Sequence, residues 1–418
     1  MVFNLTFNHE YKKEKYVKTS VCVLGLGYIG LPTAALLAKQ GYDVLGVDIS
    51  CDVVNTINDG LIHIVEPELD AYVAKAVANK KLTASLKAAP ADVFILAVPT
   101  PFHDGHVPNI DYVISATRSI AGVVKAGDIV ILESTSPVGT TERVEEVLRE
   151  EGVDTSELFI AHCPERVLPG QIMRELVEND RIVGGLNNEA GQKVAEFYRT
   201  FVSGDVLVTD ARTAEMAKLT ENSFRDVNIA FANELSILCD KFNIDVWELI
   251  RLANRHPRVN ILQPGTGVGG HCIAVDPWFI VHAGGEDARI IRAAREINDY
   301  KTVWVIERIQ NEIESFKNKH GRTPVVACMG LAFKPNIDDL REAPALEVFH
   351  SLQSSGAELL AVEPNLHSHK SIKLTHYQDA ANEADLVVYL VAHNEFKHLK
   401  VSGQVLDFCG VTVNVAKS

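Results

Sequence analysis

A strand-like run, VCVLG, opens directly onto Gly25-Leu26-Gly27-Tyr28-Ile29-Gly30. A helical run and a second strand ending in Asp48 follow. The first glycine permits a tight turn, the second lets backbone approach a pyrophosphate, and the third packs the helix against the sheet. The helix N-terminus favours an anion. Asp48, eighteen residues after Gly30, is placed to accept from a ribose hydroxyl, and no Arg follows it directly. With strand, helix, second strand and acid all in place, the pattern reads as a dinucleotide site that favours NAD over NADP. A merely structural glycine turn is the weaker reading.

Further strand candidates, ADVFILAVPT, GDIVILEST and LFIAHCPE, alternate with helical stretches to about residue 208. Such alternation predicts a parallel, doubly wound sheet. From about residue 210 the strands stop, and DARTAEMAKLTENSFRDVNIAFANELSILCDKF predicts one long helix or two in sequence. After about residue 320 the alternation resumes with TPVVACMGLAF, AELLAVEP, ADLVVYLVAH and QVLDF. The expected fold is therefore α/β: a Rossmann-like doubly wound parallel sheet over 1–208, a central long-helix domain over 209–318, and a smaller C-terminal Rossmann-like domain over 319–418. A chain of 418 residues is too long for a single core, which agrees with that division.

The formal net charge of −15 disfavours a nucleic-acid partner. The N-terminal stretch MVFNLTFNHEYKKEKYVKTS lacks the apolar run of a secretory signal, and no later segment could span a membrane. A cytoplasmic location is the expectation. Seven scattered cysteines without a CxxC fit reduced thiols, not a disulfide frame or zinc site. Cys22 and Cys328 lie in apolar strand-like runs. Cys272 lies in GVGGHCIAVDP, where there is little side chain to pack against.

Ligands of such sheets bind beyond the carboxyl ends of the strands. That rule brings forward Val98-Pro99-Thr100, Thr135 in ESTSPVGTT, and Glu165-Arg166-Val167 in PERVLPG. From position alone an ordinary polar loop or helix cap is an equal reading. Lys218 and Asn222, four apart on a helix, share a face and could both donate to one developing oxyanion; a solvated face is the commoner meaning of such a pair. A helix starting near Cys272 would lower its thiol pKa, and Asp276 follows at i+4. Phe333, Lys334 and Arg341 lie in GLAFKPNIDDLREAP, where the last sheet would take a nucleotide, with Lys334 and Arg341 as phosphate partners or as plain surface charge. His103 and His106 have loosely metal-like spacing but no completing cluster, so no metal is expected. His162-Cys163 resembles a dyad without a third partner. Loop chemistry is the better reading of both.

Taken in order, the glycine turn with Asp48, ESTSPVGTT, PERVLPG, Lys218-x-x-x-Asn222, GVGGHC and AFKPNIDDLRE resemble the UDP-sugar 6-dehydrogenases of the UDP-glucose/GDP-mannose dehydrogenase family. The resemblance runs from about residue 20 to about 400. ANRHPRVNILQPGTGVGGHCIAVDPWFIV is most similar to the branch acting on UDP-N-acetyl-D-mannosamine, with UDP-N-acetylglucosamine and UDP-glucose as alternative substrates. The resemblance implies two successive hydride transfers to NAD, with capture of the aldehyde by Cys272 and hydrolysis of a thioester, for surface polysaccharide synthesis. It implies that Lys218 and Asn222 stabilise oxyanions, that Thr135, Glu165 and Asp276 position water and relay protons, and that Glu165 is the hydrolytic base. Lys334, Val268 and Gly269 would meet the UDP-sugar, and Arg341 the NAD phosphates. His256 and Arg258 would reach substrate from a neighbouring subunit, which implies at least a homodimer built on the central helices. Two departures stand out: Thr266 replaces an expected proline, and Cys409 replaces a basic residue near an atypical C-terminus. A single-step β-hydroxyacid dehydrogenase would use Lys218 and Asn222 without a thiol. A non-catalytic scaffold would leave the filled catalytic positions unexplained.

Overall fold

The computed structural model describes residues 19–412. The polar N-terminal stretch, apart from its last two residues, and the final residues of the atypical C-terminus, 413–418, lie outside the described residues. The chain forms two compact units. One contains the residues up to Phe102 together with Asn109–Lys218; the other contains His103–Pro108 and Leu219–Ser418.

The first unit is built on eight strands: β1 (Ser20–Leu24), β2 (Asp43–Val47), β3 (Leu82–Ser85), β4 (Val93–Leu96), β5 (Ile129–Leu132), β6 (Phe159–His162), β7 (Arg181–Gly185) and β8 (Val206–Asp210). Their spatial order is β8-β7-β6-β5-β4-β1-β2-β3. The neighbours pair in parallel except β6 and β7, which meet antiparallel. The apolar runs VFIL and IVIL are buried at every position, as central strands covered on both faces must be. Successive residues feed opposite faces. Val21, Val93, Ile95, Ile129 and Ile131 enter one apolar cluster, and Cys22, Leu24, Phe94, Leu96, Val130 and Leu132 the other. Helix α1 (Gly30–Gln40) follows β1, and α2 (Thr140–Glu150) follows β5.

Helix α3 (Ala211–Phe242) is a single helix of 32 residues. Asp210 starts it, accepting from the Thr213 amide at 2.9 Å and from the Thr213 hydroxyl at 2.6 Å. In the second unit α3 packs beside α4 (Asp276–Gly284) and α5 (Arg289–His320). Between α3 and α5 the contact is buried and polar. Arg295 Nη1 donates to Asp226 Oδ1 at 2.7 Å, Asn298 Nδ2 to the same oxygen at 2.8 Å, and Asn233 Nδ2 to Asn298 Oδ1 at 2.9 Å. Such a chain, unlike sliding apolar surfaces, fixes one helix register.

The same unit ends in a four-stranded parallel sheet, β9 (Val325–Met329), β10 (Glu358–Val362), β11 (Leu386–Tyr389) and β12 (Gln404–Asp407), in the order β10-β9-β11-β12. Helix α6 (Pro344–Leu352) lies against one of its faces through Val348 and Leu352, which join Val326 and Cys328 in one core. Among the described residues no helix is long and apolar enough to cross a membrane.

Candidate active site

The glycine turn has the shape that a dinucleotide pyrophosphate needs. Gly25 has φ 88° and Gly30 lies so close to it that a Cβ there would sit 1.8 Å from the Gly25 carbonyl oxygen. A Cβ on Gly27 would meet nothing within 4 Å, so this side of the turn is open to a ligand. Leu26 N–H donates to Asp48 Oδ2 at 3.0 Å and Ser50 N–H to Asp48 Oδ1 at 2.9 Å, which leaves the half-buried carboxylate lone pairs for a ribose hydroxyl. Tyr28 is 39% exposed beside the turn, and Ile29 precedes the first residue of α1. The residues present therefore fit NAD.

Two further strand-end loops are tied together. Thr100 Oγ1 donates to the Thr135 carbonyl at 2.7 Å, and Ser134 Oγ to the Val98 carbonyl at 2.7 Å, with Pro99 exposed between them. Beyond β6, Glu165 accepts from the Val167 amide at 2.9 Å, and Arg166 Nη1 donates to the Asp180 carbonyl at 3.2 Å. Lys218, nearly buried on α3, donates from Nζ to Glu165 Oε1 at 3.3 Å.

One turn further along α3, Asn222 Nδ2 donates to Asp276 Oδ2 at 2.5 Å, and both residues are buried. Asp276 is the first residue of α4, so the helix begins one turn beyond Cys272 and not at it. The Cys272 carbonyl accepts from the Val275 and Asp276 amides at 3.1 and 2.8 Å, which makes the cysteine the entrance to that first turn. Its side chain is exposed, whereas Cys22, Cys163 and Cys328 are buried. Burial pushes those three thiols up to about 11, 12 and 12 respectively, leaving them protonated and inert.

The loop before Cys272 is packed by the segment that follows β9, through Phe333, Glu342 and Pro344. A Cβ on Gly269, next to Val268, would fall 2.2 Å from the Glu342 carbonyl and 3.1 Å from Phe333. Thr266, the residue in place of proline, donates from Oγ1 to the Leu390 carbonyl at 2.6 Å and accepts at its own carbonyl from Thr302 Oγ1 at 3.2 Å. Lys334 is exposed. Arg341 is gripped by Asp339, with Nη2 to Oδ2 at 2.6 Å. His256 and Arg258 lie on an exposed turn, with Arg258 N–H donating to His256 Nδ1 at 3.3 Å. None of these last four side chains belongs to the Lys218–Glu165 or Asn222–Asp276 pairs.

His162 and Cys163 are not loop groups. Both are fully buried at the end of β6, and burial, with the Lys218 charge as a lesser cause, holds His162 down at about 3. His106 stacks on Trp278 of α4, with ring centroids 4.1 Å apart. Glu215 was not legible in the sequence. Fully buried on α3, it accepts from the Gly139 amide at 2.6 Å and from the Thr141 amide and hydroxyl at 2.8 and 2.6 Å. It thus ties the start of α2, and the loop carrying Thr135, to the helix carrying Lys218. Only the S/T-rich start of a helix hints at such a need, and nothing local says what meets it.

Fold and site together define an NAD-dependent oxidoreductase. The chain belongs to the UDP-glucose/GDP-mannose dehydrogenase family: the family's NAD binding domain matches residues 19–202, its central domain 212–300 and its UDP binding domain 327–410. It is 55% identical to the UDP-N-acetyl-D-mannosamine dehydrogenase of Campylobacter jejuni over 93% of this chain and 98% of that protein. It is 53% identical to an NDP-N-acetyl-D-galactosaminuronic acid dehydrogenase of Ralstonia nicotianae, over 91% of this chain and 92% of the relative. The solved UDP-D-ManNAc dehydrogenase of Pyrococcus horikoshii superposes with a TM-score of 0.85 at 39% identity, covering 94% of this chain and 96% of that one.

Proposed function

We propose that this chain oxidises the primary alcohol of UDP-N-acetyl-D-mannosamine to a carboxylate, with two NAD and one water consumed, through a thioester on Cys272. The observation that carries the reading is the Asn222–Asp276 hydrogen bond. It joins the exposed-cysteine loop to the helix that also bears Lys218. The names of the relatives support the sugar.

NAD, held by Gly25 to Gly30 and Asp48, with Val98, Pro99, Thr100 and Thr135 flanking and Arg341 on its phosphates, would accept hydride. The protein's part is to manage charge and protons. Lys218 and Asn222 donate to the sugar oxygen as negative charge develops on it. The Cys272 thiolate adds to the aldehyde carbon, so the intermediate is retained until a second hydride leaves that same carbon and a thioester remains. Glu165 takes a proton from water as the water attacks the thioester carbonyl, and the Cys272 thiolate leaves. Thr135 and Asp276 position the water and pass protons on. Arg166, Val167, Val268, Gly269, Phe333 and Lys334 contact the UDP-sugar. In this reading residues 1–208 serve NAD, 209–318 carry the cysteine loop and the subunit contact, and 319–418 serve UDP.

We assign a homodimer or higher homo-oligomer, with His256 and Arg258 reaching a neighbour's substrate. Phe224, Phe231, Leu238 and Phe242 support this: they recur at near-heptad spacing on α3 and are 68, 53, 41 and 62% exposed. A cytoplasmic location and a role in surface polysaccharide synthesis complete the reading. The Ralstonia relative favours a second reading, a nucleotide-linked N-acetyl-D-galactosamine as substrate.

Initial rates of NADH formation with UDP-linked N-acetylmannosamine, N-acetylglucosamine, N-acetylgalactosamine and glucose test the assignment. A kcat/KM for the mannosamine substrate at least about tenfold above the others is expected, a difference of about 1.4 kcal/mol. A higher value for another sugar would replace the substrate and keep the chemistry, and no NADH from any of them would end the proposal.

A further inference from the structure

The two sheets begin alike. In the first, Gly25 N–H donates to the Val47 carbonyl at 2.8 Å and Leu26 N–H to Asp48 Oδ2 at 3.0 Å. In the last, Gly330 N–H donates to the Val362 carbonyl at 2.8 Å and Leu331 N–H to Glu363 Oε2 at 2.8 Å. Gly25 and Gly330 share the same left-handed backbone, with φ 88° and 92°. Glu363, the residue after the second strand of its sheet, thus stands where Asp48 stands in the other.

The two carboxylates differ in what surrounds them. Asp48 is half-buried with one amide on each oxygen. Glu363 is 3% exposed and its acceptor capacity is used up. Oε2 receives the Leu331 and Ala332 amides at 2.8 and 3.0 Å and lies 3.0 Å from His393 Nε2, while Oε1 receives the backbone amide and the side-chain Nδ2 of Asn365 at 3.1 and 3.4 Å. Burial pushes Glu363 upward, but the hydrogen bond from His393 and the Leu331 and Asn365 amides outweigh it and hold the carboxyl below its usual value. No lone pair remains for a ribose hydroxyl.

His393 is fully buried just past β11. The Asn336 amide donates to its Nδ1 at 3.0 Å. An amide N–H only donates, so Nδ1 carries no proton, and Nε2–H is the donor to Glu363. Asn336 has φ 61°, and its side-chain oxygen accepts from the Asn394 amide at 2.9 Å. The segment Leu331 to Asn336 is therefore pinned at its start by Glu363 and at its end by His393. Exposed Lys334 and half-buried Phe333 lie between the two pins.

We infer that His393 and Glu363 are positioning residues, which close the ribose place of the last sheet and convert its first turn into a fixed loop presenting Phe333 and Lys334 to a uridine diphosphate group. The inference rests on the proposed UDP-sugar contact of Lys334. A buried pair that only stabilises the fold is the competing explanation, and chemistry separates the two. In His393→Asn the side-chain oxygen falls near Nδ1 and still accepts from Asn336. In His393→Gln the amide falls near Nε2 and still meets Glu363, but the Asn336 amide loses its acceptor.

The test uses the full chain: UDP binding by calorimetry, KM for the UDP-sugar and for NAD, and thermal melting. His393→Gln is expected to weaken UDP binding about tenfold and to raise the UDP-sugar KM in parallel, with the NAD KM unchanged, and His393→Asn to recover most of that loss. Asn336→Gly, at an exposed left-handed position, removes the Asn394 tether without disturbing the core and is expected to raise the UDP-sugar KM about two- to threefold. UDP bound by all three variants as by wild type overturns the inference. So does a matched loss of NAD and UDP affinity that tracks melting. Wild-type protein that binds no UDP overturns the UDP-sugar reading itself, and this inference with it.

Discussion

Glu133 directly follows β5 and precedes Ser134 and Thr135. Its carboxyl is 1% exposed, with Thr33 Oγ1 donating at 3.4 Å and the Arg181 guanidinium paired with it by charge at 3.8 Å. Burial pushes it up to about 7; Arg181 pulls it down and Glu165 adds to the rise. A carboxyl that keeps its proton longer in the folded chain contributes its full stability below the usual 4.5, and loses it as the pH rises from there through about 7. The loss is on the order of 3 kcal/mol. Glu133→Gln abolishes this titration, so its melting temperature relative to wild type is expected to rise by a few degrees between pH 5 and pH 8. An offset that stays constant across that range would contradict a protonated Glu133. Residues of this kind were hidden in the sequence. ESTSPVGTT marks a strand-end loop, but burial of its first carboxyl depends on Thr33 and Arg181, 100 and 48 positions away.

The elements were the most legible part of the chain, because periodicity and glycine placement are local signals. β1, its turn, α1 and β2 were readable together, and so was the long helix that became α3. Its pattern gave the helix but could not rank Glu215, Lys218 and Asn222, whose partners Thr141, Glu165 and Asp276 come from distant segments. Nor did alternation reveal the antiparallel meeting of β6 and β7, since strand direction is decided by the path of the connection, not by the strand's own residues. Glu215 gives the element-scale prediction. Glu215→Gln turns an acceptor into a donor facing the amides at the start of α2, and a buried mismatch of this kind costs about 1–3 kcal/mol. Melting is expected to fall, and kcat to fall about tenfold or more with little change in the UDP-sugar KM, as the Thr135 loop shifts relative to Lys218. A lower melting temperature with kcat intact would make Glu215 a structural cap only.

For the molecule as a whole, a chain of net charge −15 that handles anionic ligands must meet them with a few placed cations. Lys218, Lys334, Arg341 and Arg258 are the candidates. The chain uses one turn geometry twice, open at Asp48 and closed at Glu363, and places an exposed thiol in a glycine loop packed by the segment that follows β9. A single hydride transfer has no use for such a thiol. The central claim is therefore that one sugar gives up four electrons through Cys272. The direct measurement is NADH formed per UDP-N-acetylmannosamine consumed, for wild type beside Cys272→Ser. Two NADH per sugar, with turnover collapsing in the variant, is the predicted result. One NADH per sugar, or a variant that still yields two at the wild-type rate, would contradict it.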